Sequence, residues 1–452
     1  MSSFEAVTDE IRARVVPDEA ERERLEAVRE RVVARTKGAV DELPVAAEVV
    51  TVGSTARGTW LAGDRDIDVF VRFPETLERA QLQEYGLEVG HAVLPDGHEE
   101  YAEHPYVKGT FEGFDVDLVP CYDVPTASDI RSAVDRTPFH TEYLEARLTP
   151  ALADDVRVAK AFLKGIGAYG SDLKTAGFAG YLVELLVLEH GGFRAFVEAA
   201  SEWHPPVEYD PEDHGQKTFD DALVVIDPTD PERNVAASLS TENVARVTHY
   251  ARALLDEPSV DLFEPWEPEP LTAADVRAEF DARGTHPVAV RFETPDIVED
   301  QLYPQLDRSL AGIEGELDRR GFDVLRSARW ADETHAVLVL ECEVARRPAV
   351  ERHDGPPVHV RGHATGFYEK YADGEEYGPY IDADGRYVVE RERDHRTPEA
   401  FLASDDLYTV ALGSTVATCL REEGYDVLAG DEVGELADAF GVELARYVSP
   451  RP

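Results

Sequence analysis

Residues 53 to 68 read G-S-T-A-R-G-T-W-L-A-G-D-R-D-I-D. A Gly-Ser turn leads toward a helix carrying Arg57, and a short loop then enters a strand with Asp66 and Asp68. Alternate side chains of a strand share a face, so both carboxylates point one way and Ile67 the other. Two carboxylates a few ångströms apart repel unless a cation sits between them. Magnesium takes oxygen ligands and keeps waters and substrate phosphates in its shell. Two such ions can activate a hydroxyl and stabilise a departing phosphate. A phosphate cradle beside paired carboxylates is what nucleotidyl transfer needs. D-x-D alone is common at strand starts; its place shortly after G-S-x-A-R gives it weight.

A third carboxylate usually completes a two-metal site. Phe114 to Val119 offers Asp115 and Asp117 on one strand face. Asp117 is preferred, because it lies deeper in the apolar run before Pro120, whereas Asp115 reads as a solvent-facing edge residue. Gly53 permits close backbone approach to phosphate, and Ser54 adds a hydroxyl and an N–H near a helix start. Ser54 reads equally as an N-cap, and the two roles are compatible. Arg57, about one turn on, can reach a β- or γ-phosphate or pair with Asp64.

Other candidates carry less weight from residue type alone. Lys160 stands out where Lys is scarce, and Lys164 shares its helix face. Tyr169 sits where that helix ends at glycine, suited to packing on a ribose or base and equally to core packing. His140, after Pro138-Phe139, is as readily structural as functional. Arg233 either meets substrate or caps a local carboxylate cluster, and His104 in E-H-P-Y-V is a weaker candidate.

These residues need elements to position them. Residues 3 to 40 read as helical with a break at Pro17, 46 to 52 as a buried strand, Asp66 to Phe73 as a strand, and 76 to 90 as a helix. Tyr106 to Phe111 and Phe114 to Val119 read as strands turning at Glu112-Gly113. The expectation is a small mixed sheet with flanking helices. From 141 to 200 the pattern is helical, with one amphipathic helix ending at its glycines and a more buried one over 177 to 190. Residues 204 to 215 read as a loop, and 224 to 237 as a strand, a Pro-rich turn and then a helix. P-W-E-P-E-P-L, 265 to 271, reads as a linker. Beyond it, Pro287 to Phe292, Val298 to Arg320, Phe322 to Trp330 and His335 to Val344 make a β-α-β-β pattern, and 405 to 450 reads as helical. The expected domains are 1–140, 141–264 and 272–452, in an α+β multidomain chain.

The chain has 452 residues, enough for two to four domains. Its 92 acidic against 45 basic residues give a net charge of -47. Such a surface ordinarily repels nucleic acid. It reads either as a highly soluble surface or as adaptation to a very salty cytosol, where the Debye length falls to roughly 3 Å at 1 M. Acidic side chains, scarce Lys and a single Met favour the second. Three cysteines cannot make a disulfide framework, so a reducing cytosol is expected. The N-terminal residues show no apolar signal segment, and no run approaches a membrane span.

Taken in order, further motifs join the first. They are V-D-L-V-P-C-Y (116–122), R-T-P-F-H (136–140), V-A-K-A-F-L-K-G-I-G-A-Y-G-S (158–171), G-F-A-G-Y-L-V-E-L-L (177–186) and I-D-P-T-D-P-E-R-N-V-A-A (226–237). With these the chain resembles the archaeal-type (class I) CCA-adding enzymes, tRNA nucleotidyltransferases of the polymerase β-like superfamily. The first motif marks only the superfamily; the later ones are specific to the family. The match is strong over residues 5 to 260 and looser beyond. The resemblance implies a polymerase β-like nucleotidyltransferase palm over 1–140, a helical central nucleotide- and substrate-binding domain over 141–264, and an α+β tRNA-binding region over 272–452. It implies that Asp66, Asp68 and Asp117 hold catalytic Mg2+ or Mn2+ ions and that Ser54 and Arg57 bind the triphosphate. His140, Lys160 and Tyr169 would complete the pocket, and Arg233 would meet the incoming base. The expected activity is template-independent addition of CCA to tRNA from CTP and ATP, in the cytoplasm, by an enzyme whose relatives suggest a homodimer. Rival expectations are a poly(A) polymerase or oligoadenylate synthase, or an inactive RNA-binding protein on the same fold.

Residues 351 to 371 are a local exception to the acidity. They mix Arg352, Arg361 and Lys370 with His353, His359, His363, Phe367, Tyr368 and Tyr371. Stacking and planar cations bind RNA in ways that survive salt better than bulk charge, so this segment is expected to touch tRNA.

Overall fold

In the computed structural model, residues 3–101 and 103–452 are described. The chain forms two compact units, one ending at Trp266 and one spanning Glu267–Arg451, so the division falls inside the Pro-rich linker.

The first unit opens with α1 (Phe4–Val15) and α2 (Glu19–Asp41), separated at Pro17 and restarted by the Asp18 capping box. Then come β1 (Glu48–Val52), α3 (Gly53–Arg57), β2 (Asp66–Pro74), α4 (Arg79–Val93), β3 (His98–Tyr101), β4 (Pro105–Phe111) and β5 (Phe114–Asp123). The strands form one mixed sheet in the order β1-β2-β5-β4-β3. Only β2 and β5 are parallel neighbours, with Asp66 beside Asp115 and Asp68 beside Asp117. Glu112 and Gly113 both have positive φ, 50° and 80°, as a two-residue hairpin between β4 and β5 demands. Ile67, Val69, Val71 and Phe73 of β2 join Val116 and Leu118 of β5 in a core with α2 and α4. Alternation therefore leaves Asp66, Asp68 and Asp117 on the opposite face.

The rest of this unit is mainly helical: α5 (Thr137–Glu145), α6 (Pro150–Gly165), α7 (Gly180–His190), α8 (Phe193–Ser201), β6 (Val207–Tyr209), β7 (Leu223–Asp227), β8 (Asp230–Asn234) and α9 (Thr241–Asp256). Its core gathers Phe162, Phe178, Leu182, Leu186, Phe193 and Phe196. Two expectations are corrected here. The 204–215 segment contains β6, paired with β7. The stretch after the D-P-T-D-P turn is β8, not a helix: Asn234 accepts from the Val225 N–H and donates to Leu223 O, which ties it back onto β7.

The second unit contains α10 (Ala273–Arg283), β9 (His286–Glu293), α11 (Glu299–Arg319), β10 (Val324–Ala331), β11 (His335–Cys342), β12 (Val350–Pro357), α12 (Arg361–Tyr371), β13 (Tyr377–Ile381), β14 (Arg386–Glu392), α13 (Pro398–Leu402), α14 (Ser414–Glu422), β15 (Asp426–Ala429) and α15 (Ala437–Val448). One antiparallel sheet runs β10-β11-β9-β15 and a second runs β12-β14-β13. The expected all-helical 405–450 stretch is interrupted by β15, which pairs with β9. The three cysteines are free and buried. Among the described residues no helix is long and apolar enough to cross a membrane.

Candidate active site

The parallel register of β2 and β5 sets Asp68 directly beside Asp117, on the sheet face opposite the core formed with α2 and α4. Asp115 is exposed and Asp117 half-buried. Burial, the Asp117 charge and the Asp66 charge together push the Asp68 carboxyl up to about 6, partly offset by Arg57 and Lys108. Asp66 is raised by burial and by Asp64 and Asp115, and Asp117 is raised by burial against the pull of Lys108.

Lys108 on β4, which the sequence reading overlooked, lies opposite Asp117 and places Nζ 3.4 Å from Asp117 Oδ1. It supplies the positive charge within this carboxylate set. Among the described residues, no three His, Cys, Asp or Glu side chains are already arranged around a point where a metal could sit. The donors nonetheless fit a hard divalent cation: they are all carboxylate oxygens, adjacent in the sheet, and burial together with their mutual repulsion raises Asp68.

Gly53 and Ser54 start α3 at the end of β1. Gly53 has φ +76°, and a Cβ there would lie 1.9 Å from Asp68 Oδ2. The glycine is thus required by the carboxylate beside it as well as by its backbone.

Arg57 does not pair with Asp64. Its Nε and Nη2 donate to Glu184 Oε2 of α7 at 2.9 and 2.8 Å, and its Nη1 donates to Thr141 Oγ1 at 3.1 Å. Lys160 of α6 is buried, with Nζ 3.1 Å from Thr59 O and 3.4 Å from Glu184 Oε1. Burial lowers the Lys160 pKa despite Glu184. Burial would raise Glu184, but Lys160, Arg57 and the Thr59 hydroxyl hold it below the ordinary carboxylate value. Tyr169 is half-buried, and Lys164 Nζ lies 5.4 Å from its ring centre.

His140 and Arg233 meet at a second buried carboxylate, a local partner of the kind that the sequence left open for Arg233. Asp227, fully buried at the end of β7, accepts from His140 Nε2 and Arg233 Nη1, each at 2.7 Å. Burial opposes its ionisation, but the bonds from His140 and Thr229 hold its carboxyl well below the usual range. The His140 ring stacks on Tyr181 at 3.9 Å between centres. Arg233 is one-third exposed and, with Arg136 and Lys217, lines a cleft of 880 Å³. His104 is buried edge-on to Tyr122, and neither ring nitrogen has a hydrogen-bond partner among the described residues. Glu184 and Asp227 each had a signal in the sequence: a lone acid inside an apolar buried run must find partners.

Strand-borne carboxylates on one face of a mixed sheet, beside a glycine-led helix carrying Arg57, define a nucleotidyltransferase of the polymerase β-like type. Residues 33–140 match the family described as nucleotidyltransferase domain, and 154–264 match tRNA nucleotidyltransferase, second domain. Residues 283–430 match CCA-adding enzyme, C-terminal domain. The chain is 60% identical to the CCA-adding enzyme of Haloarcula marismortui, over 99% of both chains. It is 61% identical to that of Halorubrum lacusprofundi over the whole of both. Identity to that of Methanosarcina barkeri is 38%, over 99% of this chain and 100% of the relative. The chain belongs to the CCA-adding enzyme family. It is accordingly an enzyme that adds CCA to tRNA from nucleoside triphosphates, of a superfamily that generally depends on a divalent metal ion.

Proposed function

We propose that this enzyme builds and repairs the 3′ end of tRNA without a template, using CTP twice and ATP once. The observation that carries the site assignment is the β2–β5 register, which brings Asp68 beside Asp117 with Gly53 against the Asp68 carboxylate. Asp66, Asp68 and Asp117 would hold Mg2+, with Mn2+ an effective substitute. When bound, the ions lower the pKa of the tRNA 3′-hydroxyl and neutralise charge on the leaving pyrophosphate. The 3′-hydroxyl gives up its proton to solvent, its oxygen bonds to the α-phosphorus, the α–β phosphoanhydride bond breaks, and pyrophosphate leaves.

Ser54 and the α3 backbone meet the triphosphate. Three of the five guanidinium N–H groups of Arg57 are engaged by Glu184 and Thr141, leaving two for phosphate oxygens. Lys160 acts as a fixed buried charge, and Tyr169 offers its ring to the nucleotide. Arg233, held by Asp227 at the cleft, meets the incoming base, and His140 fixes Asp227 from the other side. In this reading 1–140 is the catalytic domain, 141–264 the nucleotide-binding domain, and 272–452 binds tRNA, with residues 351–371 among the contacts. The enzyme works in the cytoplasm as a homodimer, which sedimentation at molar salt would check.

The test is the product. A tRNA lacking its last three bases should gain two C and one A and then stop; continued A addition would instead mark a poly(A)-type polymerase. Asp68→Ala should abolish incorporation and leave tRNA binding largely intact. Full activity in that variant would remove the site assignment, and an inactive wild type that still binds tRNA would mark an RNA-binding protein.

A further inference from the structure

Glu184 is the carboxylate shared by Arg57, which the proposed function sets on the triphosphate, and by the buried Lys160 of the same pocket. It is fully buried on α7, in a helix otherwise apolar over Leu182–Leu188. Its two oxygens have separate duties. Oε2 accepts both the Nε and the Nη2 of Arg57. Oε1 accepts the Thr59 hydroxyl and faces Lys160 Nζ at 3.4 Å. Lys160 also donates to Thr59 O and approaches Thr59 Oγ1 at 3.3 Å. Two cations thus share one anion, and the cluster keeps a net charge of one positive.

We propose that Glu184 is a positioning residue for nucleotide binding. One oxygen turns the Arg57 guanidinium, the other anchors Lys160, and together they present a pre-set positive edge to the triphosphate. The inference rests on Arg57 and Lys160 serving that triphosphate. A glutamine cannot reproduce the arrangement, because its amide NH2 would face donors on one side or the other. With the anion gone, two buried cations would also be left without their shared partner. Gly180 supports the same geometry: a Cβ there would lie 3.2 Å from Tyr169 Oη and 3.9 Å from Lys160 Nζ. The N-terminal turn of α7 therefore lies against Lys160 and Tyr169.

The experiment compares Glu184→Gln with the wild type in molar KCl. Readouts are the KM for CTP, the KM for tRNA, kcat, the thermal midpoint, and CTP binding by calorimetry without tRNA. A positioning role predicts that CTP affinity falls roughly tenfold or more, while the KM for tRNA stays within about twofold. Should Glu184→Gln fail to fold, Thr59→Val removes the hydroxyl that serves Oε1 and should weaken CTP binding in the same selective way, by roughly threefold to tenfold. Glu184→Asp, one methylene short, should recover CTP affinity only in part. A folded Glu184→Gln with wild-type CTP affinity would overturn the proposal. So would equal losses for CTP and tRNA, which mark a purely structural joint. Arg57→Lys and Lys160→Met keep the two readings apart. If they leave CTP affinity unchanged, the triphosphate assignment itself fails. If they weaken it while Glu184→Gln does not, only the positioning role fails.

Discussion

Asp68 is asked to be both buried and charged. Its folded pKa of about 6 lies above the ordinary aspartate value of 3.8, so ionisation opposes folding when no cation is bound. Its contribution to stability is fully present below about pH 4 and is lost as pH rises through about 6. Asp68→Asn should therefore stabilise metal-free protein at pH 7.5 by at most about 3 kcal/mol, read as a higher thermal midpoint, and change it little at pH 4. Calorimetry at the two pH values checks this, and the same variant should lose roughly three orders of magnitude in nucleotide incorporation. Lys108 bears on the same charges from β4, with its ammonium against Asp117. Replacing it by Met removes a cation that repels the metal, so Mn2+ should bind tighter by roughly threefold to tenfold. Titration of Mn2+ without nucleotide, followed by electron paramagnetic resonance, measures that directly.

The elements explain which parts of this site can be read in advance. The alternation D-I-D-V-F-V-R-F shows β2 and its two-sided character, because the period of a strand is two. It cannot show that β5 pairs in parallel with β2, or that residue 117 falls opposite residue 68; register belongs to the sheet. β8 is hidden for a different reason. D-P-E-R-N has poor strand propensity, and it becomes a strand because the Asn234 side chain bonds to β7. β15 has only four residues and lies inside a helix-like stretch; its partner β9 makes it a strand. Arg57 and Lys160 are prominent as isolated cations, yet their common partner Glu184 is over 120 residues from Arg57. At the turn between β1 and α3, Gly53→Ala adds a Cβ where Asp68 Oδ2 already sits and forces φ +76° on a residue that avoids it. Incorporation should drop roughly a hundredfold because Asp68 is displaced. The thermal midpoint should shift only a few degrees, as expected for strain confined to one turn. Kinetics beside a melting curve separates the two effects.

The charge of the whole molecule sets the conditions under which all of this operates. With 92 acids and 45 basic residues, 47 carboxylates have no basic counterpart. Most of the basic side chains are already spent on local pairs such as Arg352 with Asp354 and Asp382. Screening must therefore come from solvent, as in the halophilic archaea whose enzymes this chain matches. The thermal midpoint should rise steeply between 0.1 M and 2 M KCl, as the Debye length shrinks from about 10 Å to less than about 3 Å. A midpoint unaffected by salt would contradict that view.

The same screening decides how tRNA can be held, because counterion release contributes little at molar salt. In the 351–371 segment the structure separates two groups of side chains. Phe367, Tyr371 and His353 are spent on one another, with Phe367 and Tyr371 4.8 Å apart. Gly355 lies so close beneath Phe367 that a Cβ would come within 2.7 Å of its ring. Arg352 is neutralised by its own carboxylates. Arg361 and Tyr368 of α12 remain exposed, a planar cation and a ring on one helix. If this segment grips RNA by stacking, the double variant Arg361→Ala, Tyr368→Ala should raise the KM for tRNA roughly tenfold in 2 M KCl and leave CTP binding unchanged. Arg352→Ala should do much less, because its charge is already answered locally. Equal effects from the two variants would assign the segment's role to net charge rather than to stacking, which the salt dependence of each KM would then reveal.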